Sequence, residues 1–389
     1  MEMIGMEGSH AVAEAVKLAD ADVVAAYPIT PQTHIVERLA EMVADGELNA
    51  EYIPVESEHS AMSACLGSSA TGARTFTATA GQGLELMHEV VYVASSMRLP
   101  IVMAVANRAL SAPLSVWGDH SDVMAVRDTS WIQVFAENGQ QAFDLTLCAF
   151  RIGEDPKVLF PVMVHLDGFH LSHVVEPLVL LEKSQVDKFL PPYKHPYSLD
   201  CDRPVTMGAF AMPAVYAEVK KAQHDAFLAT KQVILKAWKE YGKLSGRHYS
   251  PVEHYHTDDA KVLLLTMGSF SETAMVAVDE LRKKGEKVGL IRLRLWRPFP
   301  FEELRQAVAN AEVLIVLDRC ISFGGPPGPV CSEVRAALYA EQKRPKVVGF
   351  IGGLGGREIA VAEFKQMVSR GREAADKGAE AVPQITGIR

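Results

Sequence analysis

The sequence predicts an α/β protein with two parallel-sheet domains. Three observations carry that expectation. Short apolar runs alternate with helical periods over residues 8–164, the alternation breaks in a proline-rich stretch over 176–205, and a second alternation starts near residue 259. The length of 389 residues agrees, since roughly 150 residues per domain gives about two domains.

The elements follow in order. Residues 8–20 read as a helix with Val12, Ala15, Val16 and Ala19 on one face. Residues 22–27 form a short apolar strand, followed by a helix to about residue 44 and a turn at Asp45-Gly46. A strand is expected over 51–55. The helix after it, over 59–71, is rich in Ala, Ser and Gly, which lets backbones pack closely. A strand over 74–78 leads through a glycine turn to a helix over 84–94. Strands over 100–106 and 158–164 flank a helix over 140–153. Such alternation predicts a mostly parallel sheet covered on both faces.

Residues 176–205 hold Pro177, Pro191, Pro192, Pro196 and Pro204 and lose the apolar period, so they read as an excursion or linker. Residues 211–241 look helical, with a solvated charged face. Strands are then expected over 261–266, 287–293, 313–318 and 346–350, with helices over 271–284, 301–310, 330–341 and 358–370.

Composition excludes several classes. The net charge of −9 argues against a general nucleic-acid binder and a polybasic membrane contact. No apolar run reaches the length of a membrane span, and residues 1–10 carry Glu2 and Glu7 without an apolar core, so no secretory signal is expected. Cys65, Cys148, Cys201, Cys320 and Cys331 are odd in number and widely spaced. They outline neither a disulfide framework nor a compact metal or iron–sulfur motif, and a cytoplasmic location fits best.

Ligands in open parallel sheets bind beyond the carboxyl ends of the strands. There the sequence places Tyr27-Pro28-Ile29-Thr30-Pro31, Glu56-Ser57-Glu58-His59-Ser60, Thr79-Ala80-Gly81-Gln82-Gly83 and Asn107-Arg108. Thr30 reads as a helix cap with Pro31 at the first helical position, or as a hydroxyl beside backbone amides that hold a small carboxylate. Ser57 reads as a cap, which puts Glu58 in a first helical turn; it is either a mildly stabilising acid or a buried one aimed at a cofactor nitrogen. The glycines around Gln82 suit a tight turn or close approach to a ligand. Arg108 suits a carboxylate fork, or a surface ion pair with Asp119 or Asp122. Asp119-His120-Ser121-Asp122 reads as a hydrogen-bonded turn rather than a metal site. Gly352-Gly353-Leu354-Gly355-Gly356 lacks the lysine and register of a phosphate loop. Gly324-Gly325-Pro326-Pro327-Gly328 reads as a rigid loop.

These strings resemble the α chain of the pyruvate:ferredoxin oxidoreductases (pyruvate synthases). The likeness rests on Ala26-Tyr27-Pro28-Ile29-Thr30-Pro31, Glu56-Ser57-Glu58-His59 and Asn107-Arg108 followed by Gly118-Asp119-His120-Ser121-Asp122. Later strings extend it: Asp167-Gly168-Phe169 with His173, and Arg294-Leu295-Trp296-Arg297-Pro298-Phe299. The resemblance implies a pyrimidine-binding domain for thiamine diphosphate over 1–248 and a transketolase C-terminal-like domain over 249–389. It implies that Glu58 hydrogen-bonds N1′ of the aminopyrimidine and favours the imino tautomer that removes the thiazolium proton. Thr30 and Arg108 would hold the substrate carboxylate, with Pro28 and Gln82 in the cofactor wall and His120 behind them. The implied reaction oxidises pyruvate to acetyl-coenzyme A and CO₂, or runs in reverse, with electrons passing to ferredoxin. An oxalate-using relative has Arg at the position of Thr30, so Thr30 points to a substrate with one carboxylate.

The sequence has neither the GDG string that marks the metal–diphosphate site of thiamine enzymes nor a CxxCxxC cluster motif. The resemblance therefore implies half of an active site. Mg, the diphosphate contacts and the 4Fe–4S clusters would come from β, γ and δ-type partner chains. Three further readings are a β chain of a lipoamide-linked 2-oxoacid dehydrogenase, a relative using another 2-oxoacid and a non-catalytic assembly subunit.

Overall fold

The computed structural model describes residues 3–326, 328–378 and 384–388. Fifteen strands are present among them. β1 (Met3–Glu7) stands apart from the first sheet; β2 (Val23–Ala26), β3 (Glu51–Pro54), β4 (Thr75–Thr79), β5 (Val102–Asn107), β6 (Ile132–Phe135) and β7 (Val162–Asp167) build it. β8 (Val175–Val179) returns to pair with β1. β9 (Val252–Tyr255), β10 (Val262–Thr266), β11 (Val288–Leu293), β13 (Val313–Asp318), β14 (Lys346–Ile351) and β15 (Gln384–Ile385) build the second sheet, while β12 (Leu295–Arg297) leaves it for the first.

The first sheet has seven strands in the order β12-β6-β7-β5-β4-β2-β3. Every pair is parallel except β12 with β6. β2, β4, β5, β6 and β7 are buried along their whole length, as continuous apolar runs require when helices cover both faces. The helices Gly8–Leu18, Thr33–Ala44 and Gly139–Gly153 pack in one apolar core, and Glu58–Ala70 and His88–Ser96 in another on the same sheet. The second sheet runs β15-β14-β13-β10-β11-β9, with only β9 antiparallel. Helices lie on both of its faces in separate apolar clusters.

The excursion over 176–205 carries more order than its sequence predicts. β8 pairs antiparallel with β1, and Lys183–Phe189 is helical. Pro177 faces Gly5 in this two-stranded ribbon, where a proline is tolerated because an edge strand needs no second ladder. The long helix Pro213–Ser245 buries Phe227, Ile234, Trp238 and Tyr241 at helical spacing, while its first half stays exposed. Buried Asp144 clasps its end, accepting from Tyr241 Oη at 2.6 Å and from Arg247 Nε at 2.6 Å.

Direct connections join the sheets. Arg294 O accepts from Phe135 N, and β12 extends the first sheet beyond β6. Asp167, at the end of β7, accepts from Ser269 N at 2.7 Å and from Arg319 Nη1. Ser269 follows β10 and Arg319 follows β13, so the carboxyl ends of the two sheets face each other here. Pro327 of the predicted rigid loop lies outside the described residues; Phe323, Gly324, Gly325 and Pro326 are exposed.

Candidate active site

β3, β2, β4 and β5 are neighbours in the sheet, and their carboxyl ends form one edge. Glu58, Thr30, Gln82 and Arg108 each follow one of these strands. The structure therefore brings them to one place, and Gly81, Gln82 and Gly83, the first turn of the helix Gly81–Leu86, lie between Arg108 and Glu58.

Glu58 opens the helix Glu58–Ala70. Ser57 caps that helix by accepting from Ser60 N at 3.2 Å. Glu58 is only 6% exposed, and no side-chain hydrogen bond reaches it among the described residues. A buried carboxylate normally has a partner, so an unpaired one marks a place for a ligand donor. Gly83 lies directly over it. A Cβ on Gly83 would stand 2.6 Å from both Glu58 Oε1 and Thr79 Oγ1, so only glycine leaves the acid its room. Thr79 Oγ1 is itself buried without a partner.

Arg108 is buried. Its Nη1 donates to Thr30 O at 3.1 Å and its Nε to Ser115 O at 2.9 Å. Burial pulls its pKa below the usual value, against the opposing charges of Asp122 and Glu58. Neither Asp119 nor Asp122 makes the expected surface ion pair. Asp122 is buried and accepts from the backbone of Arg108 at 2.9 Å, of Gly81 at 3.1 Å and of Val123 at 2.7 Å, and from Asn107 Nδ2 at 3.1 Å. Asp119 accepts from Ser121 N and Oγ. The string is hydrogen-bonded as its composition predicts, but its last two residues open the helix Ser121–Ala125 rather than close a turn.

Thr30 is exposed and does not cap a helix. Residues 30–32 form a turn, and the helix starts at Thr33 with Gln32 before it. Gln32 is fully buried and ties the turn down, donating to Tyr27 O at 2.8 Å and Ala78 O at 3.2 Å. No local pattern announces this contact, because its partners lie just past β2 and on β4. Pro28 is exposed on the rim. Gln82 is half-buried; its Nε2 donates to Ser111 Oγ at 3.0 Å and its Oε1 has no partner.

His120 sits behind the edge, with Nε2 2.9 Å from Asp167 Oδ1. Burial lowers its pKa, and the neighbouring Asp167 opposes that shift. For Asp167 burial raises the pKa, but Arg319 and His120 outweigh it and hold the carboxyl well below its usual range. The glycine string over 352–356 braces the same region. Gly356 N donates to Gly118 O at 2.7 Å, and Gly355 N to Asp119 Oδ2 at 3.1 Å. A Cβ on Gly356, whose φ is +77°, would lie 2.4 Å from Trp117 Cβ. These glycines allow backbone docking onto the loop that follows Arg108.

Glu85, on the helix Gly81–Leu86, gives a pH handle on this edge. Burial raises its pKa from an ordinary 4.5 to about 7. Folding then binds a proton more tightly than the unfolded chain does. Its contribution is complete below about pH 4.5 and fades as pH rises through about 7. Glu85→Gln should flatten that part of the stability profile, measured by urea unfolding from pH 4 to 8. An unchanged slope would refute the assignment.

Comparisons with known proteins bear on the family and the fold. Residues 14–239 match the family model described as "Pyruvate flavodoxin/ferredoxin oxidoreductase, thiamine diP-bdg", and residues 260–364 match "Pyruvate:ferredoxin oxidoreductase core domain II". The chain is 50% identical over 373 residues to pyruvate synthase subunit PorA of Methanocaldococcus jannaschii, covering 95% of each chain. It is 48% identical to the PorA of Thermotoga maritima, covering 92% of each. It is also 46% identical to ketoisovalerate oxidoreductase subunit VorA of Pyrococcus abyssi, covering 96% of this chain and 94% of that one. Among solved structures, 2-oxoglutarate:ferredoxin oxidoreductase from Magnetococcus marinus superposes with a TM-score of 0.70 at 20% identity. That match covers 96% of this chain but 65% of the longer one. A split-gene transketolase superposes with a TM-score of 0.56 at 12% identity, over 95% and 98% of the two chains. Both likenesses bear on the fold: two α/β domains of the thiamine diphosphate pyrimidine-binding and transketolase C-terminal types. With its thiamine diphosphate-binding model matched over more than half its length, the chain belongs to the pyruvate flavodoxin/ferredoxin oxidoreductase family.

Proposed function

We propose that this chain is the α-type subunit of a thiamine diphosphate-dependent pyruvate:ferredoxin oxidoreductase. It would act in the coenzyme A-dependent conversion of pyruvate to acetyl-coenzyme A and CO₂, or in the reverse synthesis. The carrying observation is Glu58, buried and unpaired beneath Gly83, on the edge that also presents Arg108. That fits the aminopyrimidine: a carboxylate without a donor, in a cleft kept open by a glycine. Thiamine diphosphate, when bound, supplies a carbon nucleophile and an electron sink.

The chain's own groups have separable roles. Glu58 holds or shares a proton at a ring nitrogen. Arg108 offers its guanidinium to a carboxylate, with Thr30 beside it. Thr79, Gln82 and Pro28 shape the wall. The division at residues 248/249 belongs to the same proposal. So do the partners: the sequence has no GDG string and no cluster-spaced cysteines, which supports Mg, diphosphate contacts and 4Fe–4S clusters on β, γ and δ-type chains. Among the described residues no helix is long and apolar enough to cross a membrane, and a cytoplasmic site of action fits.

The ketoisovalerate relative, at 46% identity, makes a branched 2-oxoacid the second reading. The test is anaerobic isolation of the whole complex and coenzyme A-dependent viologen reduction with pyruvate, 2-oxobutyrate, 2-oxoglutarate, 2-oxoisovalerate and oxalate. Pyruvate should be turned over fastest. Preference for 2-oxoisovalerate would replace the substrate and retain the chemistry. No reduction with any substrate, or acyl transfer to a lipoyl protein, would overturn the proposal.

A further inference from the structure

A set of metal-binding side chains lies apart from the edge that carries Glu58. Glu7 ends β1. His10 lies in the first turn of Gly8–Leu18, and His34 in the first turn of Thr33–Ala44. One donor atom from each meets the other two within 4.8 Å. His34 Nδ1 is 2.8 Å from Glu7 Oε1, and His10 Nε2 is 3.9 Å from Glu7 Oε2.

Those separations decide what the cluster can hold. Zinc bonds of about 2.0–2.1 Å in a tetrahedron put neighbouring ligand atoms roughly 3.4 Å apart. The two distances run to different oxygens of Glu7 and lie either side of that value, and with one donor atom of each residue within 4.8 Å of the others, a contraction of the cluster by about 1 Å would close all three groups on one ion. The donor types agree. Two imidazoles and one carboxylate suit zinc and the neighbouring divalent transition ions, and suit calcium or magnesium poorly. An ion pair alone explains the group less well. One carboxylate faces several imidazoles, since His173 also lies 4.0 Å from Glu7 Oε1 and its ring stands 4.3 Å from that of His34. His173 Nδ1 is engaged by Ser172 Oγ at 2.7 Å, which leaves it as a wall of the cluster. The His10 and His34 side chains are 42% and 40% exposed, so an ion has a route in from solvent.

We propose that Glu7, His10 and His34 bind one divalent transition-metal ion of the zinc class, with the remaining position left to water. The ion would fasten β1 to the starts of two helices, one of which begins three residues after Thr30. The site serves structure at the edge of the sheet and takes no part in the oxidation itself.

The test uses the full-length chain stripped of metal and titrated with Co²⁺, read by visible absorption, then with Zn²⁺ as competitor. One Co²⁺ per chain should bind with the spectrum of nitrogen and oxygen ligands and without a thiolate charge-transfer band. Zn²⁺ should displace it. His34→Ala and Glu7→Gln should each weaken binding by at least about tenfold while far-ultraviolet circular dichroism stays unchanged. If either variant misfolds, His10→Gln, at an exposed helical position, carries the same expectation. Absent or non-saturable binding, equal binding in the variants, or a thiolate band pointing to cysteine would overturn the proposal.

Discussion

Glu58→Gln should abolish most turnover of the assembled complex. The substitution keeps size and leaves Gly83 its place, so folding and assembly should persist. What it removes is the carboxylate that can hold a proton at the aminopyrimidine nitrogen. Acid–base groups of this kind contribute about 10²- to 10⁴-fold to rate, and a loss in that range is expected. Thiamine content and subunit composition should be measured on the same sample. Normal content with lost turnover would place the defect in chemistry rather than binding. Unchanged turnover would remove Glu58 from the site and favour a non-catalytic role for the chain.

Arg319→Ala should produce the largest loss of stability. Arg319 is buried, donates to Asp167 Oδ1 and to Gly118 O, and lies with its guanidinium carbon 4.2 Å above the Phe270 ring. Its removal leaves a buried carboxylate supported only by His120 and Ser269. Breaking a buried pair in this way costs about 3–5 kcal/mol. Urea unfolding of the full-length chain should show it. Arg319→Met combined with Asp167→Leu should recover part of the loss, because no charge is then left unpaired. A single variant with unchanged midpoint would show that solvent or His120 already neutralises Asp167.

Much of the fold was legible because burial and local pattern agree. β5 and β7 are apolar runs covered on both faces, and such runs announce parallel strands. Ser57 before Glu58 is a local cap signal, and the structure uses it as one. Elements whose logic is non-local escaped. β1 and β8 pair across most of the first domain, and three-residue β12 finds its partner in the other sheet. Thr30 resembles a cap, yet Gln32 pulls the chain into a turn through contacts just past β2 and on β4. At the candidate site, the residue types at strand ends were readable, whereas the space above Glu58 was not. Gly83 looked like half of an ordinary turn until its missing Cβ proved to border the acid. Glu7, His10, His34 and His173 show no motif spacing, since β1, two helices and a loop bring them together.

The docking of Gly355 and Gly356 onto Gly118 and Asp119 has a consequence for how this molecule fails and changes. The loop leaving Arg108 takes its shape from a sheet that contributes none of the candidate site residues. A small slip of that sheet is passed through Trp117 and Gly118 to the guanidinium, with every reactive group still intact. Loss of function on warming should therefore begin as misalignment at this seam, before the strand ends around Glu58 come apart. Inherited differences among such chains at 352–356 would likewise retune substrate handling from behind, in the way a splint sets the line of a limb it does not move.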